Sequence, residues 1–443
     1  MSQPHILDQN ARLGFVEIPG SPEGPMPALV RIEDDDGIDV DIPFSPTRAV
    51  ENIFGRLPKT PPYLHFRDNK GGLTFGDCYG RRNTMDMGTR YGRWSIRAAF
   101  AVEGDDFTDD AVKKVVKIQS ELTGIHQWMS WPNTFMTLKE GPDGSTEEVG
   151  ITKKVLASVE VHDGDTRLRI IPTFRTKDFA FSGEDSTIET YTAEATSWAD
   201  HFPLHYAIRT LVALCFWQSA DFLSHRLRHS GEEPTLPNGA KKAPPLRRLH
   251  FLHHTRRTSR ATRPPVEAKS EHIYFSDLGT DGIGRFIELS RTHARAIAPL
   301  MSYLYLTENP VETQMTHVGI CLEALRYADR VRAGDSPNAA NAESISARAL
   351  ALANGAPGVI KDLLGDTGEW SRKLADSYNS VKHANRSPFD PGDTFWLARS
   401  GALLARVCLL QRAGVQDEAI GRFARSPWWH PMKEGVASVL AAG

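Results

Sequence analysis

Hydrophobic and polar residues alternate in short runs along the first 200 positions: LGFVEI (13–18), ALVRIE (28–33), IDVDIP (38–43), YLHF (63–66) and WSIRAAFAVEG (94–104). A period of two marks half-buried strands. The clearest hairpin is VLASVEVHDGDTRLRIIPTF (155–174), with Asp163-Gly164 as the turn pair between alternating arms. Frequent Gly, Pro and Asp turns between short strands predict an antiparallel, sandwich-like β domain over 1–200. Within it, DDAVKKVVKIQSEL (109–122) has helical spacing.

The period then changes. Residues 201–229 place apolar side chains at helical spacing, with no Gly or Pro after Pro203, and predict one helix. SGEEPTLPNGAKKAPPL (230–246) reads as an exposed, Pro-rich connector, and HIYFSDL (272–278) as a short β-like run. From 283 onward the pattern is helical. It predicts GRFIELSRTHARAIAPLMSYLYL, ETQMTHVGICLEALRYADRVRAG, AESISARALALANG, GEWSRKLADSYNSVKHANR and TFWLARSGALLARVCLLQRAG as helices, with Gly334, Gly355 and Gly414 as C-caps. Pro388 stops the fourth of them. The organisation is thus a β-rich domain (1–200), a helix with a basic connector (201–282) and a helical bundle (283–443), an α+β fold.

Composition narrows the setting. At roughly 150 residues per domain, 443 residues make two or three domains. A hydrophobic share of 40% excludes a chain disordered throughout. Cys78, Cys215, Cys321 and Cys408 are far apart and form no CxxC, which argues against a zinc ribbon or a disulfide framework. The start, MSQPHILDQNARLG, lacks the charged and apolar regions of a signal peptide, and the most apolar stretch, Leu211 to Trp217, is too short to span a bilayer. The expected setting is cytoplasmic, with no membrane, metal or cofactor.

The charge balance of 52 Lys+Arg against 55 Asp+Glu, −3 net, conceals a polarity. Lys241, Lys242, Arg247, Arg248, Arg256, Arg257, Arg260 and Arg263 follow one another with no acid between them, so this stretch carries +8 and the remainder −11. It is either a phosphate-neutralising stripe, with Arg247, Arg248, Arg256, Arg257 and Arg260 as RNA contacts, or a solvated loop docked on the chain's own acidic parts.

The chemistry-bearing segment is Trp370-Ser-Arg-Lys-Leu-Ala-Asp-Ser-Tyr-Asn-Ser-Val-Lys-His383. On a helix, Asn379 and His383 are i and i+4, and Arg372 returns to the same face within about 20°. Lys382 stands beside them. That stripe is polar and cationic, which suits a phosphate rather than a metal. Other motifs are weaker. His225 and His229, i and i+4 on the expected helix, lack a cysteine or carboxylate to complete a zinc site. GTDGIGRF is not GxGxxG. Trp128, Trp131, Trp428 and Trp429 suit a core. Glu323 is either a buried partner of Arg326 or a site residue from a second helix.

A helical bundle ending in Asn-Ser-Val-Lys-His after an N-terminal β domain resembles the ApeA-like HEPN proteins of bacterial anti-phage defence. Their signature is Arg, then commonly Asn, Asp or His, three variable residues, then His. Asn379 and His383 match, Tyr378 stands where the Arg is expected, and Leu322-Glu323-Ala324-Leu325 also looks like the family's bundle. The resemblance covers nearly the whole chain. It implies a HEPN-type bundle, a homodimer or higher homo-oligomer with a composite site, and metal-independent cleavage of tRNA or other cellular RNA in abortive infection, with a phage protein as trigger. His383 would be the acid/base, Asn379 the orienting group, and Arg372, Lys382 or Arg386 the substitute cation. The alternative is a catalytically degenerate bundle for dimerisation, RNA binding or phage sensing, in which His383 caps or packs a helix end.

Overall fold

A computed structural model describes residues 11–21, 24–33, 37–44, 60–86, 91–104, 107, 109–131, 134–143, 145–153, 157–177, 180–230, 246–251, 269–306, 310–383, 385–386 and 390–442. Arg256, Arg257 and Arg260 lie outside the described residues, as do Lys241, Lys242 and Arg263. The chain divides into two compact units. The first comprises 1–123, 155–205 and 221–265, and the second 124–154, 206–220 and 266–443.

The first unit is built on an antiparallel sheet. Its strands are β1 (Ala11–Glu17), β2 (Met26–Glu33), β3 (Gly37–Phe44), β4 (Tyr63–Asp68), β5 (Gly71–Gly76), β6 (Tyr79–Asp86), β7 (Tyr91–Ala98), β8 (Phe100–Glu103) and β9 (Lys114–Leu122). Two strands of the second unit, β10 (Thr134–Glu140) and β11 (Thr146–Lys153), pair only with each other. The sheet then resumes with β12 (Val159–Asp163), β13 (Thr166–Lys177), β14 (Ala180–Ser197), β15 (Phe222–Arg228) and β16 (Arg247–Phe251). Its fourteen strands run in the order β12-β13-β14-β9-β15-β16-β8-β5-β4-β1-β2-β3-β7-β6. Inward residues of alternating strands, among them Val16, Val30, Val40, Phe66, Phe75 and Ile96, form one core. The 155–174 hairpin forms one residue later than its sequence suggests. Asp163 pairs with Thr166, so Gly164 and Asp165 make the turn, and Gly164 takes φ +56°, a conformation that favours glycine.

Two expected helices give way to strands over part of their length. Residues 109–122 hold one 3₁₀ turn, Asp110–Lys113, and then β9, which is hydrogen-bonded on both sides, to β14 and β15. Ile118, Ser120 and Leu122 alternate inward, and the β-branched Val115, Val116 and Ile118 suit that sheet position. The segment expected as one helix over 201–229 is a helix only to Phe216. Trp217 takes φ +53°, and β15 follows. His225 therefore lies on a strand, its Nδ1 2.7 Å from Ser120 Oγ, while His229 Nε2 sits 2.9 Å from the Val112 carbonyl oxygen. The i, i+4 pairing expected of these two histidines does not exist.

His201 and His205 are also buried in this unit, bridged by Thr190 Oγ1 at 2.9 Å from His201 Nδ1 and 2.9 Å from His205 Nε2. Burial pushes His205 down to about 3, with His201 adding to the fall. An unfolded histidine titrates near 6.5, so as pH falls below that value the unfolded chain takes up a proton that the folded unit excludes until about pH 3. Stability present above pH 6.5 is lost through that window, by about 3 kcal/mol from this group alone at pH 4.5. Urea melts at pH 7 and 4.5 check this. The loss between the two should shrink by about that amount in His205→Gln, and an equal loss in both proteins would refute it.

The second unit is helical apart from β10 and β11. Its elements are α1 (Ile125–Met129), the C-terminal part of α2 (Trp198–Phe216), α3 (Phe275–Thr292), α4 (Ala294–Tyr305), α5 (Val311–Arg332), α6 (Pro337–Asn341), α7 (Ile345–Asn354), α8 (Gly358–Leu364), α9 (Thr367–Lys382), α10 (Pro391–Ala413), α11 (Asp417–Gly421) and α12 (Trp429–Ala441). HIYFSDL opens α3 instead of forming a strand, because Asp277 accepts the Tyr274 N–H at 2.7 Å and starts the first turn. The expected helix over 284–306 is split at His293, whose Nε2 faces Asp329 Oδ1 at 3.4 Å. α10 is buried around most of its circumference from Leu397 to Leu410 and forms the axis of the bundle. Among the described residues, no helix is long and apolar enough to cross a membrane.

Candidate functional site

The segment that carries the Asn and His of the motif is α9. Asp366 caps its start, accepting the N–H groups of Gly368 at 2.9 Å and Glu369 at 3.0 Å. Leu374 and Tyr378 are buried, and Trp370 Nε1 donates to Ser400 Oγ of α10 at 3.0 Å. The helix ends at Lys382. His383 is its C-cap, with extended backbone (φ −123°, ψ 112°), and its N–H donates to the Asn379 carbonyl at 2.9 Å. Asn379 and His383 are thus joined by the last backbone bond of the helix, and His383 itself has left the helical conformation. His383, Lys382 and Arg386 are exposed and Asn379 is half-buried. Among the described residues, no side-chain hydrogen bond engages His383, Asn379 or Arg386.

Tyr378, at the position of the signature arginine, points the other way. It is 2% exposed, and its ring packs against α5 where Gly319 stands; a Cβ there would sit 2.3 Å from the nearest ring carbons. Its hydroxyl donates to Glu323 Oε2 at 3.3 Å, and Lys382 Nζ lies 5.3 Å from its ring centre. Burial first, then the Glu323 carboxylate, push the phenol up to about 12, so it stays protonated and serves as a donor. Glu323 is therefore the partner of Tyr378. Arg326 turns instead to Glu343, at 3.4 Å.

Among the cations, Arg372 is held by its own helix. It forks onto Glu369, with Nε–Oε2 at 3.0 Å and Nη2–Oε1 at 2.5 Å, and bonds Asp376 Oδ2 at 3.0 Å. A cavity of about 270 Å³ beside it is lined by Lys373, Ser377, Ser380, Asp376, Asp390 and Asp393, among others, but not by Asn379 or His383. Three carboxylates against two cations make it a poor seat for a phosphate. Lys382 and Arg386 remain as the cations nearest His383 in sequence. Arg247 and Arg248 are built into β16. Arg247 Nη1 donates to the Glu103 carbonyl at 3.0 Å and its guanidinium lies 5.0 Å from the Phe107 ring centre, while the Arg248 N–H donates to Glu103 Oε2 at 3.1 Å.

Sequence reasoning missed Arg348. Buried on α7, it donates to the backbone carbonyls of Glu323 (3.1 Å), Ala340, Asn341 and Glu343, and so fixes the turn of α5 that carries Glu323. No sequence signal separates it from a surface arginine.

The family model for ApeA N-terminal domain 1 matches residues 11–279, more than half of the chain, and that for Apea-like HEPN matches residues 323–419. The chain belongs to the ApeA-like HEPN family. The HEPN match begins at Glu323 and contains α9, Asn379 and His383, and the N-terminal match contains the whole fourteen-stranded sheet. Among curated proteins and solved structures, nothing matches this ApeA-like HEPN chain.

Proposed function

We propose that this ApeA-like HEPN protein is a metal-independent RNA endonuclease of anti-phage defence, cutting tRNA or another cellular RNA in abortive infection. The observation that carries the reading is an exposed His383 at the end of α9, one turn beyond Asn379 and next to Lys382, inside the HEPN-matched segment. In the proposed reaction the ribose 2′-hydroxyl gives up its proton and attacks the adjacent phosphorus. The P–O5′ bond breaks, the 5′ oxygen takes a proton, and a 2′,3′-cyclic phosphate remains. One base and one acid are needed. A homodimer supplies both, His383 of one protomer and His383 of the partner subunit. Asn379 orients the phosphate, and Lys382 or Arg386 stabilises the charge of the pentacovalent state. A single lysine lacks the bidentate fork of the signature arginine.

The experiment is incubation of the full chain with RNA in EDTA. Cutting is expected to persist, and its abolition by the chelator would refute a metal-independent reaction. A second reading is favoured by one observation, the burial of Tyr378 against Glu323 and Gly319 where the arginine is expected. Such a bundle would dimerise, bind RNA or sense a phage protein without cutting. In that case His383→Ala leaves phage protection intact.

A further inference from the structure

Away from His383, α10 presents Arg399 and Arg406 to a cavity of about 80 Å³ whose other walls include Trp217, Tyr303 and Trp428. All five residues belong to the second unit. Among the described residues, no carboxylate lines this cavity and neither arginine forms an ion pair. Arg406 is 2% exposed. Its Nε and Nη2 donate to the Leu214 and Cys215 carbonyls at 2.7 and 2.8 Å, at the C-terminal end of α2, while Nη1 has no hydrogen-bond partner among the described residues. The guanidinium is stacked between Trp217 (5.3 Å) and Phe423 (4.2 Å). Burial pushes it down to about 9, so it remains charged at neutral pH.

A charge buried without a counterion is costly, and the helix-end carbonyls offset it only in part. Capping α2 would account for Arg406 alone. It leaves unexplained why a second guanidinium, Arg399, lies on the same cavity, 5.2 Å from the Phe395 ring centre and near enough to Tyr303 to act on its phenol, with no ion pair among the described residues. Trp217 is held at φ +53°, a left-handed conformation that a bulky side chain rarely takes, and it brings its ring to 6.1 Å from that of Tyr303. The Tyr303 phenol, raised by burial, keeps its proton. The space exceeds the roughly 30 Å³ share of one water and is well below the several hundred Å³ of a drug-sized pocket.

We propose that this cavity binds a phosphate-sized oxyanion between Arg399 and Arg406, either free phosphate or the terminal phosphate of a nucleotide. The site is independent of the nuclease reading. Its neighbour on α10 is Ser400, the acceptor of the Trp370 hydrogen bond, which places it one residue from the link to α9.

The test titrates the full chain with inorganic phosphate at constant ionic strength, with chloride as the balance, reading tryptophan fluorescence and the thermal melt. A saturable change is expected, weakened about tenfold or more in Arg399→Gln, as loss of one charge-assisted hydrogen bond implies. Arg399→Lys should keep most of the binding. Arg399 is half-buried and, among the described residues, bonds no backbone carbonyl, so the anion-free melt of Arg399→Gln should match wild type. Arg406 variants are avoided because they strip the end of α2. Adenosine monophosphate binding more tightly than phosphate identifies a nucleotide, and equal or weaker binding identifies the free anion. No response beyond that of chloride, or undiminished binding by Arg399→Gln, overturns the proposal.

Discussion

Replacing His383 by alanine is expected to slow RNA cleavage by about 10²- to 10⁴-fold, the range for loss of a positioned general acid or base. The loss should be chemical, because the side chain contributes little to the fold. His383 is exposed, and only its backbone N–H, retained in alanine, closes the helix on Asn379. Surface changes of this kind usually lie within about ±0.5 kcal/mol, so the melting temperature should hold while the single-turnover rate collapses. Asn379→Ala should cost less, since it orients and does not transfer a proton. A His383→Ala protein that melts as wild type and cuts at the wild-type rate would remove His383 from the chemistry.

Trp370→Ala should have the largest effect on stability. Trp370 is fully buried and ties α9 to α10 through its bond to Ser400. Removing a buried indole costs about 3–5 kcal/mol, from lost burial and the cavity left behind. Ser400 Oγ keeps the Trp396 and Leu397 carbonyls as acceptors, so the orphaned hydroxyl adds little. Trp370→Phe keeps most of the ring but not the N–H and should lose distinctly less. Urea denaturation of the two variants reads the difference. A loss under about 1 kcal/mol for Trp370→Ala would mean that α9 does not depend on this contact.

Much of this architecture is legible in the chain because local periodicity coincides with tertiary burial. The early strands alternate as their inward faces require, and α5, α7, α9 and α10 lie where helical spacing and Gly334, Gly355 and Gly414 place them. Periodicity misleads where two periods overlap. Val112, Val115, Ile118 and Leu122 fit a helical face, yet they belong to a 3₁₀ turn and a central strand held by partners distant in sequence. The 201–229 segment hides its break because the end of α2 is a tryptophan in a left-handed conformation, not a glycine.

The candidate site divides in the same way. Asn379, Lys382 and His383 are readable as a motif, but that His383 is a cap and not part of the helix depends on where the last hydrogen bond falls. The role of Tyr378 depends on Gly319 and Glu323, more than fifty residues earlier, and the pairing of Arg372 with Glu369 and Asp376 is a rotamer choice. The Arg399–Arg406 cavity joins residues as far apart in sequence as Trp217 and Trp428 and leaves no local trace. The charge polarity is legible only in part, since Arg247 Nη1 turns to the Glu103 carbonyl and the Arg248 main-chain N–H to the Glu103 carboxylate.

The most direct measurement is the chemistry of the new RNA ends, determined for wild-type and His383→Ala protein side by side in EDTA. The expected result is 2′,3′-cyclic phosphate termini from wild type and their loss in His383→Ala. Cleavage by wild type that leaves a 3′-hydroxyl and a 5′-phosphate, or the same cyclic termini at equal rates from both proteins, would contradict it.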